Sequence, residues 1–305
     1  MIAGPVVVGV DGSPEAGAAA AAAWRLAQAA GVRCHLVHAT RDVRTALDLA
    51  GTGVSLDDLQ LAMLARTRSE IAAALEDRVP PHVLEGLIVR AGRPAAVLAE
   101  VIEETDAGMV VLGGKHHSTL GRWLGGSTVH YAVRRLSVPL LVTAGDVPPR
   151  PRVLVAVDLS YAALPTLDQA VDFARLLGGP LRALHVLEPI PNPPELPFPV
   201  DAGDYEARSR EQLERHVWPA LPVPDHHKVV RHGIAPDAIA EEAAAWRAEV
   251  IVVGSHGKGW VDRLVIGSVT EDLLNDLPTA VLVIPVPAPE RRETGVIGVR
   301  AVATA

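Results

Sequence analysis

The chain has 305 residues, enough for two globular domains, and its 49% hydrophobic and 21% charged content excludes an intrinsically disordered protein. A net charge of −8 disfavours nucleic acid as a partner, and no uncharged apolar run is long enough to cross a membrane. Cys34 is the single cysteine, so an internal disulfide is excluded, and without a signal-peptide pattern we expect a cytoplasmic protein.

The first half of the chain alternates strand and helix signals. Apolar runs predict strands at 5–11, 33–39, 83–90, 108–113 and 138–143. Helical patterns lie between them at 56–76, 94–104 and 127–135, and Ser13 followed by Pro14 is a typical start of an earlier helix. Strands that are apolar throughout and alternate with helices predict a parallel sheet covered on both faces.

The second half repeats the first. The run that begins at Val6 and ends in Asp11-Gly12-Ser13 recurs from Val153 to Asp158-Leu159-Ser160, 147 residues later. Further strands are predicted at 181–187, 228–231, 250–254 and 279–284. We therefore predict domains at 1–146 and 151–287, joined by a proline-rich linker, with a flexible tail at 288–305.

A glycine-rich loop follows the predicted strand at 250–254 and leads into a helix that starts near Ser268. Gly254, Gly257 and Gly267 let the backbone approach a ligand closely, and the helix directs free N–H groups back at the loop. The pattern indicates a phosphate-binding site, in which the hydroxyl of Ser268 also donates; the alternative is a tight connection without a ligand. It differs from the P-loop and from the Rossmann glycine motif.

The spacing Gly, two residues, Gly, nine residues, Gly-Ser resembles the ATP-binding motif of the universal stress protein family. This resemblance covers both halves and implies two tandem flavodoxin-like domains of the adenine-nucleotide alpha-hydrolase-like type. Each would hold a five-stranded parallel sheet flanked by helices. The implied ligand is ATP, alone or with Mg2+. The resemblance assigns Asp158 and Val186 to the nucleoside, and Gly254, Gly257, Gly267 and Ser268 to the phosphates.

The first half departs from the motif at one position, because His116 stands where the second glycine belongs. A side chain there crowds the loop, or its charge attracts phosphate; we expect a weaker first site. The equivalent candidate residues are Asp11, Ala39, Gly113, Gly126 and Ser127. Both Asp11 and Asp158 have an alternative role, since an aspartate in this position also caps the helix that follows.

Several other polar residues are interpreted as structural. His38 and His185 suit hydrogen-bonded core histidines, Glu241-Glu242 suits a solvated helix face, and Cys34 suits a buried, inert thiol. No metal-ligand spacing is present, so we expect no structural metal. The insert at 188–204 contains six prolines and is either a lid over a ligand or a stiff surface loop.

The resemblance implies a nucleotide-binding sensor or regulator in a stress response. Two alternatives are a slow ATPase or nucleotidyl-transfer enzyme, and a scaffold that binds no nucleotide. Phosphoryl transfer needs a positioned metal and an activated nucleophile, for which the sequence offers little, so a dedicated enzyme is not expected. In the family the last strands dimerise. Here 139–143 and 279–284 would pair within the chain, and a homodimer of chains is a further alternative.

Overall fold

A computed structural model of the chain describes residues 2–41, 56–114, 127–135, 137–189, 202–224, 227–255 and 266–286. The elements described in the first half are, in chain order, β1 (Val6–Gly9), α1 (Pro14–Ala30), β2 (Cys34–Thr40), α2 (Leu56–Ala74), α3 (Pro81–Glu85), β3 (Ile88–Ala91), α4 (Pro94–Thr105), β4 (Met109–Gly113), α5 (Ser127–Arg135) and β5 (Leu140–Thr143). Those of the second half are β6 (Val153–Ala156), α6 (Ala163–Leu177), β7 (Leu181–Leu187), α7 (Ala202–Gln212), β8 (Lys228–His232), α8 (Ala235–Trp246), β9 (Val250–Gly254), α9 (Ser268–Asp276) and β10 (Ala280–Ile284).

The strands of both halves join in a single sheet. Within the described residues it has ten strands in the order β3-β2-β1-β4-β5-β10-β9-β6-β7-β8. Neighbouring strands of each half run parallel, whereas β5 and β10 run antiparallel and place Leu141 opposite Leu282. The predicted α/β fold is confirmed, and so is the pairing of the two last strands within the chain.

Each face of the sheet carries its own apolar layer. One layer packs α1, α2, α3, α6 and the helical turns after α7 against the sheet, and the other packs α4, α5, α8 and α9. Successive residues of β6 alternate between the layers: Val153 and Val155 belong to the first, Leu154 to the second. Burial on both faces explains why these strands are apolar throughout.

Helix α1 illustrates how local sequence sets the start and end of an element. The hydroxyl of Ser13 accepts a hydrogen bond from the N–H of Ala16 at 3.2 Å, as expected of an N-cap. Gly31 ends the helix with φ of 67°, a conformation that glycine adopts without strain. Most of the small alanines between these ends are buried and let the helix lie close to β4.

The predicted strand at 83–90 is wrong in its first part. Pro81–Glu85 form the short helix α3, and the strand begins only at Ile88. Pro81 occupies the first helical turn, where a missing N–H breaks no hydrogen bond, and Val83 turns inward to the core. A short apolar run fits a helical turn as well as a strand, which explains the error.

Glu242 is buried, so its interpretation as a solvated residue is also wrong. Its carboxylate accepts hydrogen bonds from Arg182 Nη1 at 2.7 Å and from Arg231 Nε at 2.5 Å. The guanidinium of Arg182 also stacks over Trp246, 4.7 Å from the ring centre. These contacts join α8 to β7 and β8, which carry the arginines.

Some predictions concern segments outside the described residues. The tail at 288–305 and most of the proline-rich insert, 190–201, belong to these segments. Among the helices in the described ranges, none combines the length and hydropathy that a membrane span requires.

Candidate nucleotide-binding site

A cleft opens at the carboxyl ends of the second-half strands, where the strand order reverses. There β6 lies between β7 and β9. Helix α6 follows β6 onto one face of the sheet, and α9 follows β9 onto the other. The chain therefore diverges on either side of the sheet edge, the usual ligand position in open α/β sheets, and the cavity left there measures about 220 Å³.

Five of the six second-half candidates line this cleft: Asp158, Val186, Gly254, Gly267 and Ser268. Residues separated by more than a hundred positions thus meet at one sheet edge, as the predicted topology requires. The sixth candidate, Gly257, lies outside the described residues.

Asp158 shapes the turn between β6 and α6. Its Oδ1 accepts hydrogen bonds from the N–H of Ser160 at 3.0 Å and from the hydroxyl of the same residue at 2.6 Å. The Ser160 hydroxyl in turn accepts from the N–H of Ala162 at 3.1 Å. Asp158 therefore shapes the turn that leads into α6 and also lines the cleft, and its contact with a nucleoside stays a prediction.

The amino terminus of α9 faces the cleft. Gly267 is its N-cap, in an extended conformation, and no side chain of the described residues caps this end. The hydroxyl of Thr270 donates to the carbonyl of Gly254 at 2.7 Å, which ties the helix to the end of β9. Uncapped N–H groups and the positive end of the helix dipole attract an anion, so this terminus suits phosphate.

His185 fixes the neighbouring wall. Its Nδ1 lies 2.8 Å from the carbonyl oxygen of Val157, and because a carbonyl only accepts, Nδ1 carries the proton. The contact holds the end of β7 against the turn after β6 and positions Val186 on the cleft. The prediction of a hydrogen-bonded core histidine is confirmed; His185 is 2% exposed.

The family model of the universal stress protein family matches this chain twice, at residues 3–144 and 149–285. The chain belongs to the universal stress protein family. A universal stress protein of Mycobacterium tuberculosis is 30% identical over 293 residues, which cover 91% of this chain and 96% of that relative. Another, from Mycobacterium bovis, is 27% identical over 306 residues, covering 92% of this chain and 95% of the relative.

Solved structures agree on the fold. A universal stress protein from Archaeoglobus fulgidus superposes with a TM-score of 0.62 at 20% identity, covering 93% of this chain and 99% of the other. A functionally unknown protein from Pseudomonas aeruginosa gives a TM-score of 0.63 at 19% identity, covering 93% of both chains. These likenesses show the fold, and the two family matches show a universal stress protein domain in each half of the chain.

The first half of this universal stress protein has the same aspartate turn and the same histidine contact as the second. Asp11 Oδ1 accepts from the N–H of Ser13 at 3.1 Å and from its hydroxyl at 2.5 Å, and His38 Nδ1 lies 2.7 Å from the Val10 carbonyl. Ala39 lies near the end of β2, next to Arg90 of β3. The turn and the histidine contact are thus duplicated along with the strands.

The remaining first-half candidates follow β4. Gly113 ends β4 so close to α1 that a Cβ there would lie 2.8 Å from the backbone of Glu15, which requires glycine for steric reasons. Ser127 begins α5, as predicted, whereas Gly126 and His116 lie outside the described residues.

Thr166 and Glu188 are among the cleft residues that were not predicted from the sequence. Glu188 follows β7, and its Oε1 accepts a hydrogen bond from the N–H of Ala235 at the start of α8, at 3.2 Å. Among the described lining residues the charged side chains are Asp158 and Glu188, both acidic, so the described wall offers no cation to phosphate. Position 41 of the first half, which the 147-residue offset makes equivalent to Glu188, holds an arginine.

Proposed function

We propose that the second-half cleft binds an adenine nucleotide, with ATP as the expected ligand. The observation that carries this proposal is the cleft itself: five of the six second-half candidate residues line one cavity at the point of strand reversal. Membership of the universal stress protein family supports it, because the glycine spacing of the second half resembles the ATP-binding motif of that family.

The nucleoside would occupy the side of the cleft formed by β6 and β7. Asp158, which lines the cleft, would accept hydrogen bonds from ribose hydroxyl groups, which are donors. Val186 and the neighbouring apolar side chains, among them Leu184, would pack against the base.

The phosphates would lie at the amino terminus of α9, where the N–H groups of the first turn and the Ser268 hydroxyl act as donors. A bound Mg2+ would neutralise phosphate charge next to an otherwise acidic wall. We propose that phosphate oxygens supply most of its ligands; among the described residues there is no group of three side chains able to hold a metal.

We propose a regulatory role rather than a catalytic one. The contacts described are those of binding: a helix terminus, backbone glycines, and an aspartate that already orients a turn. The proposed unit consists of two domains, 1–146 and 151–287. A homodimer of chains would require another surface, because β5 and β10 already pair their edges with each other.

Two measurements test the proposal. One sample of the purified chain is denatured, and mass spectrometry identifies any nucleotide carried through purification. A second, native sample is titrated with ATP and AMP by isothermal titration calorimetry. We expect Asp158→Asn to weaken binding about tenfold, since asparagine keeps the turn but loses the charged acceptor. Asp11→Asn is the matched control in the first half, and should leave the tighter site unchanged.

Two outcomes would contradict the proposal. A chain that carries no nucleotide and binds neither ATP nor AMP would favour a nucleotide-free scaffold. Release of phosphate from Mg-ATP at well above about one turnover per minute would favour an enzyme.

A further inference from the structure

A buried hydroxyl in the cleft wall makes no hydrogen bond to any residue that the structure describes. Thr166 of α6 is 2% exposed, and its Oγ1 makes no hydrogen bond to any described residue. A helical threonine can satisfy its hydroxyl by donating to the carbonyl three or four residues earlier. Thr105 of α4 does so, with Oγ1 2.6 Å from the Val101 carbonyl. Thr166 differs although its backbone N–H keeps the helical hydrogen bond to Ala162.

The position of this hydroxyl suggests what it binds. Thr166 lines the cleft beside the turn after β6 and the end of β7. Burying a hydroxyl without a partner destabilises a protein, so an apolar residue of the same shape would suit the free protein better. A ligand in the cleft would supply the missing partner.

The first half differs from the second at the equivalent position. Position 19, equivalent to Thr166 by the same offset of 147 residues that relates Asp11 to Asp158, is the buried Ala19. The strand registers agree with this equivalence, because Val8 pairs with Leu36 in β1 and β2 as Val155 pairs with Ala183 in β6 and β7. The fold therefore does not need a hydroxyl here.

We propose that Thr166 Oγ1 is a ligand-binding group that hydrogen-bonds the nucleoside part of the nucleotide and makes the second cleft different from the first. The inference rests on the proposed function. Thr166 belongs to α6, on one face of the sheet, whereas the phosphates are assigned to the terminus of α9 on the opposite face. The hydroxyl therefore contacts sugar or base.

The experiment replaces the hydroxyl with a methyl group. Thr166→Val should weaken the binding of AMP and of ATP by the same factor, about 3- to 10-fold, the usual effect of one lost hydrogen bond. The melting temperature of the nucleotide-free protein should stay the same or rise. If Thr166 only supported the fold, its replacement by valine would lower the melting temperature.

Thr143→Val is the matched control. Thr143 is also fully buried, and its Oγ1 makes no hydrogen bond to a described residue, but it ends β5 and does not line this cleft. We expect it to leave both affinities unchanged.

Three results would overturn the inference. Equal nucleotide affinities of wild type and Thr166→Val would show that Thr166 does not contact the ligand, while leaving the proposed function intact. A much larger loss for ATP than for AMP would move the contact to the phosphates. Wild type that binds neither nucleotide would reject the proposed function, and this inference with it.

Discussion

Replacing Glu242 by alanine should strongly destabilise the second half. The carboxylate receives two charge-assisted hydrogen bonds, at 2.7 and 2.5 Å, and its side chain is only 3% exposed. Each such bond contributes about 1.5–3 kcal/mol, but the Arg231 side chain is 37% exposed, so its share is smaller. Because the substitution also leaves Arg182, 20% exposed, without its counter-ion, we expect a loss of about 3 kcal/mol.

Urea unfolding followed by circular dichroism and tryptophan fluorescence measures this loss. Glu241→Ala is the control on the same helix: that residue is exposed, and its loss should change stability by less than about 0.5 kcal/mol. Since α8 supplies Ala235 and Ile239 to the cleft wall, nucleotide affinity should fall along with stability. A change below about 1 kcal/mol for Glu242→Ala would refute the reasoning.

Two further predictions concern close packing and thiol ionisation. Gly113→Ala should destabilise the protein by about 2–3 kcal/mol, because the new methyl group meets the Glu15 backbone. Gly114→Ala should destabilise it by only about 1 kcal/mol, because the methyl group there meets the flexible end of the Leu277 side chain. Thermal unfolding compares the two variants, and equal losses of stability would be evidence against this account. Burial raises the pKa of Cys34 to about 12, so the folded thiol ionises less than the unfolded one, and alkylation by iodoacetamide at pH 8 should be about a thousandfold slower than in urea. Comparable alkylation rates in the folded and the urea-unfolded protein would contradict a buried environment for the Cys34 thiol.

The fold could be predicted largely because the chain repeats itself. Two matching runs ending in Asp11 and Asp158 align the halves, and uniformly apolar strands separated by helices imply a parallel sheet. Ambiguity arose where an apolar segment was short: Val83 suits a helical turn as well as a strand, and only its packing against the core decides between them.

The candidate site could be predicted where a local spacing carried the signal. Gly254, Gly267 and Ser268 form a motif that is visible in the sequence. Thr166 and Glu188 belong to no such motif, because a threonine inside a helix and a glutamate after a strand have many roles. Their place in the cleft follows from how α6 and β7 meet in space, which spacing along the chain does not encode.

The antiparallel pairing of β5 with β10 has an evolutionary consequence. In an assembly of two identical chains every substitution appears twice, so both pockets change together. Covalent fusion removes that constraint, since each half is encoded separately while the shared sheet keeps them aligned. In this chain the second half carries Thr166 and Glu188 where the first half carries Ala19 and Arg41, so the two halves of one molecule are free to specialise independently.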